Sequence, residues 1–155
     1  MIKLLLYTFY FLFLPVIVFG QVKQKSPVKP VVSELKKLLN GNGLPSRMVN
    51  DSLAVIPYEG ANIASYNVVI QKVSDLYIVY TNLTEALPGK IDASKYKYLL
   101  QQNDHFDIVK IGMSGDDDAV YVRADIYKIG TTTALLTRII KQVANVTNII
   151  GGDLK

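Results

Sequence analysis

The stretch FDIVKIGMSGDDDAVYVRADIY, residues 106–127, decides the fold, because it predicts two strands joined by a tight turn. Gly115 and Asp116 fit a two-residue type II′ turn, which takes glycine at its first position. The apolar partners then fall on one face, so the hydrophobic pattern and the turn chemistry agree on an antiparallel hairpin. The predicted cross-strand pairs are Met113 with Asp118, Ile111 with Val120, and Val109 with Val122.

Three consecutive carboxylates, Asp116–Asp118, raise the question whether this turn binds a metal ion. Neighbouring residues on a strand point to opposite faces, so Asp117 and Asp118 cannot converge on one ion within the hairpin. A calcium loop spaces its acidic residues at alternate positions and adds a distal glutamate, and neither feature is present. The sequence therefore predicts a solvated turn, no metal site and no cofactor.

Residues 1–20 have the pattern of a secretory signal peptide: an early lysine, a long apolar run and a small residue, Gly20, at the expected cleavage site. Cleavage after Gly20 leaves Gln21 first, followed by a flexible lead-in over 21–30 and one domain over 31–155. The alternative is a retained anchor, but Pro15 interrupts a run already at the short end of a membrane span. We expect a bacterial protein in the periplasm or outside the cell, without membrane contact after cleavage.

Composition excludes several classes of function. The chain has no cysteine, which rules out thiol catalysis and thiolate zinc sites. Four of the 17 basic residues precede Val31 and none of the 13 acidic residues does, so thirteen of each sign follow. The predicted domain is therefore neutral, and this argues against a nucleic-acid partner.

The remaining elements give the order α-β-β-β-α-β-β-α. Helices are predicted over 31–39, over 93–104 with Asp92 as N-cap, and from one of Thr131, Thr132 and Thr133 to Gly151 and Gly152. Strands are predicted over 51–60, placed at an edge because of Pro57, and over 64–73 and 75–83 as a hairpin. The expected fold is α+β, a five-stranded antiparallel sheet with helices mainly on one face.

No catalytic constellation is visible. The only histidine, His105, has Asp104 and Asp107 nearby but no nucleophile, and Ser114 lacks the context of a nucleophile elbow. We therefore expect a protein without enzymatic activity.

The second face of the sheet carries the candidate binding residues. In the second hairpin, Arg123 and its alternate neighbours point away from the core. In the first, Leu76, Ile78 and Tyr80 are expected to point inward. Tyrosine and arginine are enriched at protein interfaces. The alternative is an ordinary solvated face with scattered tyrosines. The candidate protein-binding residues are Tyr77, Val79, Tyr121, Arg123 and Tyr127.

The element order and the stretch KYLLQQNDHFDIVKIGMSGDDDAVYVRADIY resemble the YbjN-like family of bacterial sensory-transduction regulators, which is related in fold to class I type III secretion chaperones of the Tir type. The resembling features are a helix ending in Leu99, Leu100 and Asn103, a hairpin with an acidic glycine turn, and a last helix entered through Gly-Thr. They cover about two-thirds of the chain in pattern. The resemblance implies an α+β domain that binds extended protein segments, often as a homodimer, and it implies no catalytic residues.

Three functions stay open from the sequence. The first is a protein- or peptide-binding module acting through the sheet face or by strand addition at an exposed edge. The second is a small hydrolase in which Asp107, Asp125 or Glu85 lines a pocket. The third is a structural envelope protein that oligomerises through Tyr77, Tyr121 and Tyr127 at a two-fold interface.

Overall fold

A computed structural model describes residues 32–155, which form an antiparallel sheet with helices against one of its faces. The predicted signal peptide and lead-in lie outside the described residues, so cleavage and export stay predictions. Within residues 32–155 no helix is both long and apolar enough to cross a membrane. The helices are α1 (Glu34–Asn40), α2 (Leu83–Ala86), α3 (Ala93–Gln101), which continues as a 3-10 turn (Gln102–His105), and α4 (Thr133–Asp153). The strands are β1 (Arg47–Asn50), β2 (Leu53–Tyr58), β3 (Tyr66–Val73), β4 (Leu76–Asn82), β5 (Lys110–Met113) and β6 (Val120–Tyr127).

The sheet has six strands in the order β1-β2-β3-β4-β6-β5, and every neighbouring pair is antiparallel. The α+β class is confirmed, but the prediction of five strands is wrong because it omits β1. That strand has three exposed residues out of four, so it shows no apolar alternation. β1 makes β2 an inner strand rather than an edge. Pro57 still meets no β1 neighbour, because the last pair with β1 is Arg47 with Val55.

Both predicted hairpins are present, with one correction of register. β3 and β4 pair around a turn in which Ser74 takes a positive φ of 49°. In the second hairpin, Ile111 pairs with Val122 and Met113 with Val120, two residues away from the predicted register. The two-residue turn is therefore wrong: a longer loop is closed by a 2.8 Å hydrogen bond from the Ser114 N–H to the Ala119 carbonyl. A shift of two residues leaves every side chain on its predicted face.

The core lies between one face of the sheet and helix α4, whose predicted apolar stripe is confirmed. Alternate residues of each central strand point into it, as the period of a pleated strand requires. The buried strand residues are Ala54, Ile56, Tyr66, Val68, Ile70, Tyr77, Val79, Thr81, Ile111, Val120, Val122 and Ala124, and the buried residues of the predicted α4 stripe are Leu136, Ile139, Ile140, Val143 and Ile150.

The expected orientation of β4 is wrong. Tyr77 and Val79 are fully buried, and Ile78 and Tyr80 point to the other face. The cause is the pairing with β6, which sets Val79 beside the buried Ala124. β4 is apolar on both faces, so its own sequence has no alternation that distinguishes inside from outside.

Helix α4 begins where predicted and ends later than predicted. Its N-cap is Thr132, whose hydroxyl accepts a 3.2 Å hydrogen bond from the Leu135 N–H. Gly151 and Gly152 do not end it, because both are inside the last turn. Their lack of a side chain instead lets the loop between β2 and β3 approach: a Cβ on Gly152 would lie 2.6 Å from the Asn62 amide nitrogen.

Asn148 holds that loop against the helix. Its Oδ1 accepts hydrogen bonds from the backbone N–H of Asn62 at 2.9 Å and of Ile63 at 3.4 Å. The Asn62 side-chain amide donates in return to the Asn148 carbonyl at 3.0 Å. A Cβ on Gly151 would overlap the side chain of Ile63, which is buried. Close approach, rather than a helix end, therefore explains the two glycines.

Replacing Gly151 with alanine tests this explanation. Alanine is favoured over glycine in a helix interior by about 1 kcal/mol, but overpacking against Ile63 costs roughly 1–3 kcal/mol. We expect Gly151→Ala to lower the free energy of unfolding measured by urea denaturation. Gly112→Ala is the matched control, because a Cβ there meets nothing within 4 Å. A Gly151→Ala variant as stable as the Gly112→Ala control would contradict the close-approach explanation.

Two buried tyrosine hydroxyls differ in their partners. The Tyr66 hydroxyl donates a 2.9 Å hydrogen bond to the carbonyl of Ala144 and so ties β3 to α4. The Tyr77 hydroxyl is buried, and no described atom meets hydrogen-bond geometry with it. Burial, then the charge of the nearby Glu34 carboxylate and a weak hydrogen-bonding interaction with it, raise the pKa of Tyr77 to about 12. That interaction with Glu34 falls short of full hydrogen-bond geometry, so the hydroxyl is not properly satisfied.

The two hydroxyls predict opposite results for the same substitution. Tyr66→Phe should lower the free energy of unfolding by about 1 kcal/mol, because it removes a satisfied buried hydrogen bond. Tyr77→Phe should leave stability unchanged or raise it by up to about 1 kcal/mol, because it removes an unsatisfied buried hydroxyl. Urea denaturation of both variants beside wild type measures the difference. A loss in Tyr77→Phe equal to that in Tyr66→Phe would show that the Tyr77 hydroxyl has a partner.

The raised pKa of Tyr77 also predicts a loss of stability in alkali. The unfolded chain ionises near the ordinary value of 10.0, while the folded chain keeps the proton until about 12. Above pH 10 the folded state therefore binds more protons than the unfolded state. The free energy of unfolding should then fall as the pH rises from about 10 to about 12. Burial and then Asp153 likewise raise the pKa of Tyr98 to about 12. Tyr77→Phe should thus reduce the slope of stability against pH without abolishing it, and an unchanged slope would refute this assignment.

Candidate functional site

The sheet face opposite α4 is the candidate functional site, and we call it the open face. Helix α4 lies against β3, β4 and β6, and α3 lies against β5, both from the core side. The alternate side chains on the other side are half-buried or exposed. The open face consists of Arg47, Leu53, Val55, Pro57, Asn67, Val69, Gln71, Val73, Leu76, Ile78, Tyr80, Asn82, Lys110, Gly112, Tyr121, Arg123, Asp125 and Tyr127.

One cross-strand row shows how the open face changes character. The pairing aligns one residue from each of the six strands: Arg47, Val55, Val69, Tyr80, Arg123 and Lys110. The row is therefore apolar or aromatic over β2, β3 and β4, and it has a cation at its β1 end and cations on β6 and β5. Directly opposed side chains on a sheet are near enough to contact each other, so the row is continuous. A partner lying across the strands would meet an apolar half, over β2, β3 and β4, with a cation at each end of the row.

Two tyrosines form a ridge in the middle of the open face. The rings of Tyr80 and Tyr121 meet edge to face, with centroids 5.6 Å apart and an interplanar angle of 77°. Such a pair contributes about 0.5–1.5 kcal/mol beyond its buried area, so it fixes both rings. The pKa of each tyrosine is raised, first by burial and then by the nearby Glu85 for Tyr80 and Asp117 for Tyr121. Both hydroxyls are therefore neutral hydrogen-bonding groups at physiological pH.

Shallow depressions lie on both sides of the ridge and share Tyr121. One, of about 400 Å³, is lined by Val55, Val69 and Tyr80, with Glu85 and Ala86 of α2 among its other residues. The other, of about 540 Å³, is lined by Lys110, Met113, Arg123 and Asp125. Both are open surfaces that admit side chains of a partner rather than enclosing a small molecule.

Helix α2 was not predicted, because the sequence after β4 reads as a loop. Asn82 starts it: its Oδ1 accepts from the Glu85 N–H at 3.2 Å, and its amide donates to Glu85 Oε1 at 2.9 Å. Thr84 joins the helix to β6, since its hydroxyl accepts from the Val120 N–H at 2.9 Å. The reciprocal bonds with Asn82 place the Glu85 carboxylate at the border of the smaller depression.

The charges on the β6 side of the open face are paired. Arg123 donates from Nε to Asp125 Oδ1 at 2.7 Å and from Nη2 to Oδ2 at 2.9 Å. This hydrogen bonding is the first cause that raises the pKa of Arg123. The two side chains are 49% and 41% exposed, so the pair contributes at most about 1 kcal/mol to stability. It holds the guanidinium at a fixed place on the sheet, where its flat face and remaining donors stay accessible.

Of the five predicted binding residues, the structure brings three together. Tyr121, Arg123 and Tyr127 lie on the open face, and Tyr127 is 67% exposed. Tyr77 and Val79 belong to the core, so they cannot form the predicted surface or a two-fold interface. The side chains that sequence reasoning missed are Val55, Val69, Ile78 and Tyr80. Only the pairing of β4 with β3 and β6 shows that these side chains lie on the open face.

The acidic residues considered for hydrolysis do not form one cluster. Asp125 and Glu85 line different depressions, and Asp107 lines neither of these two. In the part of the chain that the structure describes, no three His, Asp or Glu side chains are grouped so that they could hold a metal ion. In the acidic loop, Asp117 instead accepts a 3.2 Å hydrogen bond from the Ala119 N–H. Hydrogen bonding with the Ser114 side chain, and secondly that with the Ala119 N–H, lower the pKa of Asp117.

Known proteins match this chain in fold but not in sequence family. No family model matches it, and no curated protein sequence matches it. A chain of the ExsC–ExsE complex is similar with a TM-score of 0.55 and 12% identity, over 78% of this chain and 93% of that chain.

Two further structures are similar. One is a chain of the heterodimeric ExoU–SpcU complex of the type III secretion system of Pseudomonas aeruginosa. Its TM-score is 0.51 at 17% identity, over 76% of this chain and 94% of that chain. The other is YbjN from E. coli, with a TM-score of 0.49 at 14% identity, over 77% of this chain and 87% of that chain. The two complexes with TM-scores above 0.5 confirm the expected resemblance as a relation of fold.

Proposed function

We propose that this protein is a non-enzymatic module that binds a protein or peptide on its open face. The proposal rests on three features found together. One sheet face has no described helix over it, the Tyr80–Tyr121 ridge lies on that face, and Arg123 on the same face is paired with Asp125. Contiguous half-buried apolar groups beside tyrosine and arginine are the composition of interface cores. The row from Val55 to Lys110 is long enough to take several residues of a partner, since neighbouring strands are spaced by about 4.8 Å.

The fold comparisons support a protein partner without naming it. Both the ExsC–ExsE structure and the ExoU–SpcU structure are complexes of two different proteins. This fold therefore occurs in chains that associate with another polypeptide. The proposal applies that property to the present chain and assigns it to the open face, because its apolar half has no helix over it among the described residues.

We further propose that binding takes place after export. The support is the pattern of residues 1–20, whose apolar run and Gly20 end are typical of a cleaved secretory signal. The partner is then another protein of the periplasm or of the cell exterior.

Site-specific photocrosslinking in the full-length chain tests the docking surface. A photoreactive residue replaces Tyr127 on the open face or, as matched control, Lys141 on the exposed side of α4. We expect a discrete protein adduct from position 127 and none from position 141, since the partner covers only the open face. The N-terminus of the adduct should be Gln21 if the signal is cleaved.

A second pair of variants makes the surface assignment quantitative. Tyr121→Ser with Arg123→Ser should abolish the adduct at position 127 while the circular dichroism spectrum stays that of a folded protein. Arg138→Ser with Lys141→Ser, on α4, should leave the adduct unchanged. Equal adducts from positions 127 and 141, or an adduct that survives the open-face variant, would refute binding on this surface.

A further inference from the structure

The outer edge of β5 carries a second feature, distinct from the open face. β5 is the last strand of the sheet, so only one of its sides pairs with β6. In an antiparallel edge strand, alternate residues direct both backbone groups away from the neighbour. Ile111 is such a residue: its N–H and its carbonyl both bond on the side away from β6.

The partner of Ile111 is the side-chain amide of Asn103. Asn103 Oδ1 accepts from the Ile111 N–H at 2.6 Å, and Asn103 Nδ2 donates to the Ile111 carbonyl at 3.0 Å. A carboxamide has the same donor and acceptor as a peptide group. Asn103 therefore makes the two hydrogen bonds that one residue of an additional strand would make. It acts as a one-residue substitute for a neighbouring strand.

An apolar pocket opens beside this edge. It has a volume of about 50 Å³ and lies between α3 and β5, lined by Tyr96, Leu99, Leu100, Met113 and Val120 among others. Leu100 is 59% exposed and Met113 is 52% exposed, so the mouth of the pocket is apolar as well. Strand addition uses such pockets for alternate side chains of the incoming segment. The volume suits one small apolar side chain.

Charge decides which occupant the edge fits. Asp104 and Asp107 precede β5 in the chain, and Asp116–Asp118 follow it, so acidic residues lie beyond both of its ends. The cation on β5 itself, Lys110, is engaged by the carbonyls of Phe106 at 2.6 Å and Asn103 at 3.2 Å. A second copy of this chain, paired antiparallel through β5, would bring one acidic end against the other. Opposed like charges are unfavourable, so a homodimer through this edge is disfavoured.

We propose that the β5 edge binds an extended peptide segment in which basic residues flank a small apolar residue. The segment displaces Asn103 from Ile111, takes over both hydrogen bonds and inserts its apolar side chain beside Leu100. This proposal rests on the proposed function only in that the partner is a polypeptide, and it assigns a separate surface. Asn103 thereby protects the edge against indiscriminate strand pairing while no partner is present.

The probe for this site is a blocked peptide with alternating valine and threonine between two pairs of lysines. It is titrated into the full-length protein, with isotope labelling and amide NMR as the readout. We expect the amide signals of Val109, Ile111 and Met113 to shift on binding. A peptide with glutamates in place of the lysines is the matched control and should bind at least about tenfold more weakly, because it faces the acidic ends of β5.

Two variants separate the role of the Asn103 side chain from that of the apolar pocket. Asn103→Ala should bind the lysine peptide about tenfold more tightly, because no side chain must be displaced from Ile111. Leu100→Lys should weaken binding about tenfold or more, because it places a cation at the pocket mouth. The open-face variant Tyr121→Ser with Arg123→Ser should bind the peptide as wild type does, so failure here is distinguishable from failure of the proposed function.

Several outcomes overturn the proposal. They are shifts confined to residues other than those of β5, equal affinity for the glutamate peptide, and weaker binding by a folded Asn103→Ala variant. If Asn103→Ala does not fold, the shifts in wild type and the Leu100→Lys variant still decide the site. Dimerisation through β5 without peptide, abolished by Leu100→Lys, would assign the edge to a second copy instead.

Discussion

Helix α4 lies across β3, β4 and β6, and burial of its apolar stripe is the constraint on which the rest of the structure depends. The stripe must be covered along the whole helix, so one face of β3, β4 and β6 is committed to it. Full burial of a single aliphatic side chain contributes about 1.5–3 kcal/mol, and five stripe residues are almost fully buried. No local preference of one strand outweighs that sum. The orientation of β3 and β6 follows from it, and the pairing with β6 then sets the orientation of β4, with Tyr77 inward.

The same constraint creates the candidate functional surface. A sheet with helices on one side leaves its second face to solvent or to a partner. Here that second face contains apolar groups on β2, β3 and β4, which an entirely solvated sheet does not require. The paired Arg123 and the Tyr80–Tyr121 ridge add fixed polar groups to it. Little reorganisation is therefore needed when a partner binds, and this limits the entropic cost of association.

The two candidate surfaces differ in physical character. In the proposed function, the open face offers side chains to the partner, and its selectivity depends on apolar contact and on Arg123. The β5 edge offers backbone groups, and Asn103 keeps these satisfied while the edge is empty. Natural sheets commonly protect their edges with charge or with a covering group. In this chain the acidic loop and the asparagine act together on the same strand, and Met113 lines both the larger open-face depression and the apolar pocket.

The sequence by itself determined the α+β class, both hairpins, the capping residue Asp92, a threonine cap for α4, and the outward side of β6, because each has a local cause in alternation or side-chain chemistry. Tertiary structure alone decided the rest. β4 is apolar on both faces, so only its pairing with β6 places Tyr77 inside and Tyr80 outside. Gly151 and Gly152 suit a helix end equally well, and only the contact with the Asn148-held loop keeps them helical. Asn103 belongs to the motif at the end of α3, but its role depends on Ile111, eight residues away across a turn of chain. In each case the deciding energy comes from groups distant in sequence, which no local pattern contains.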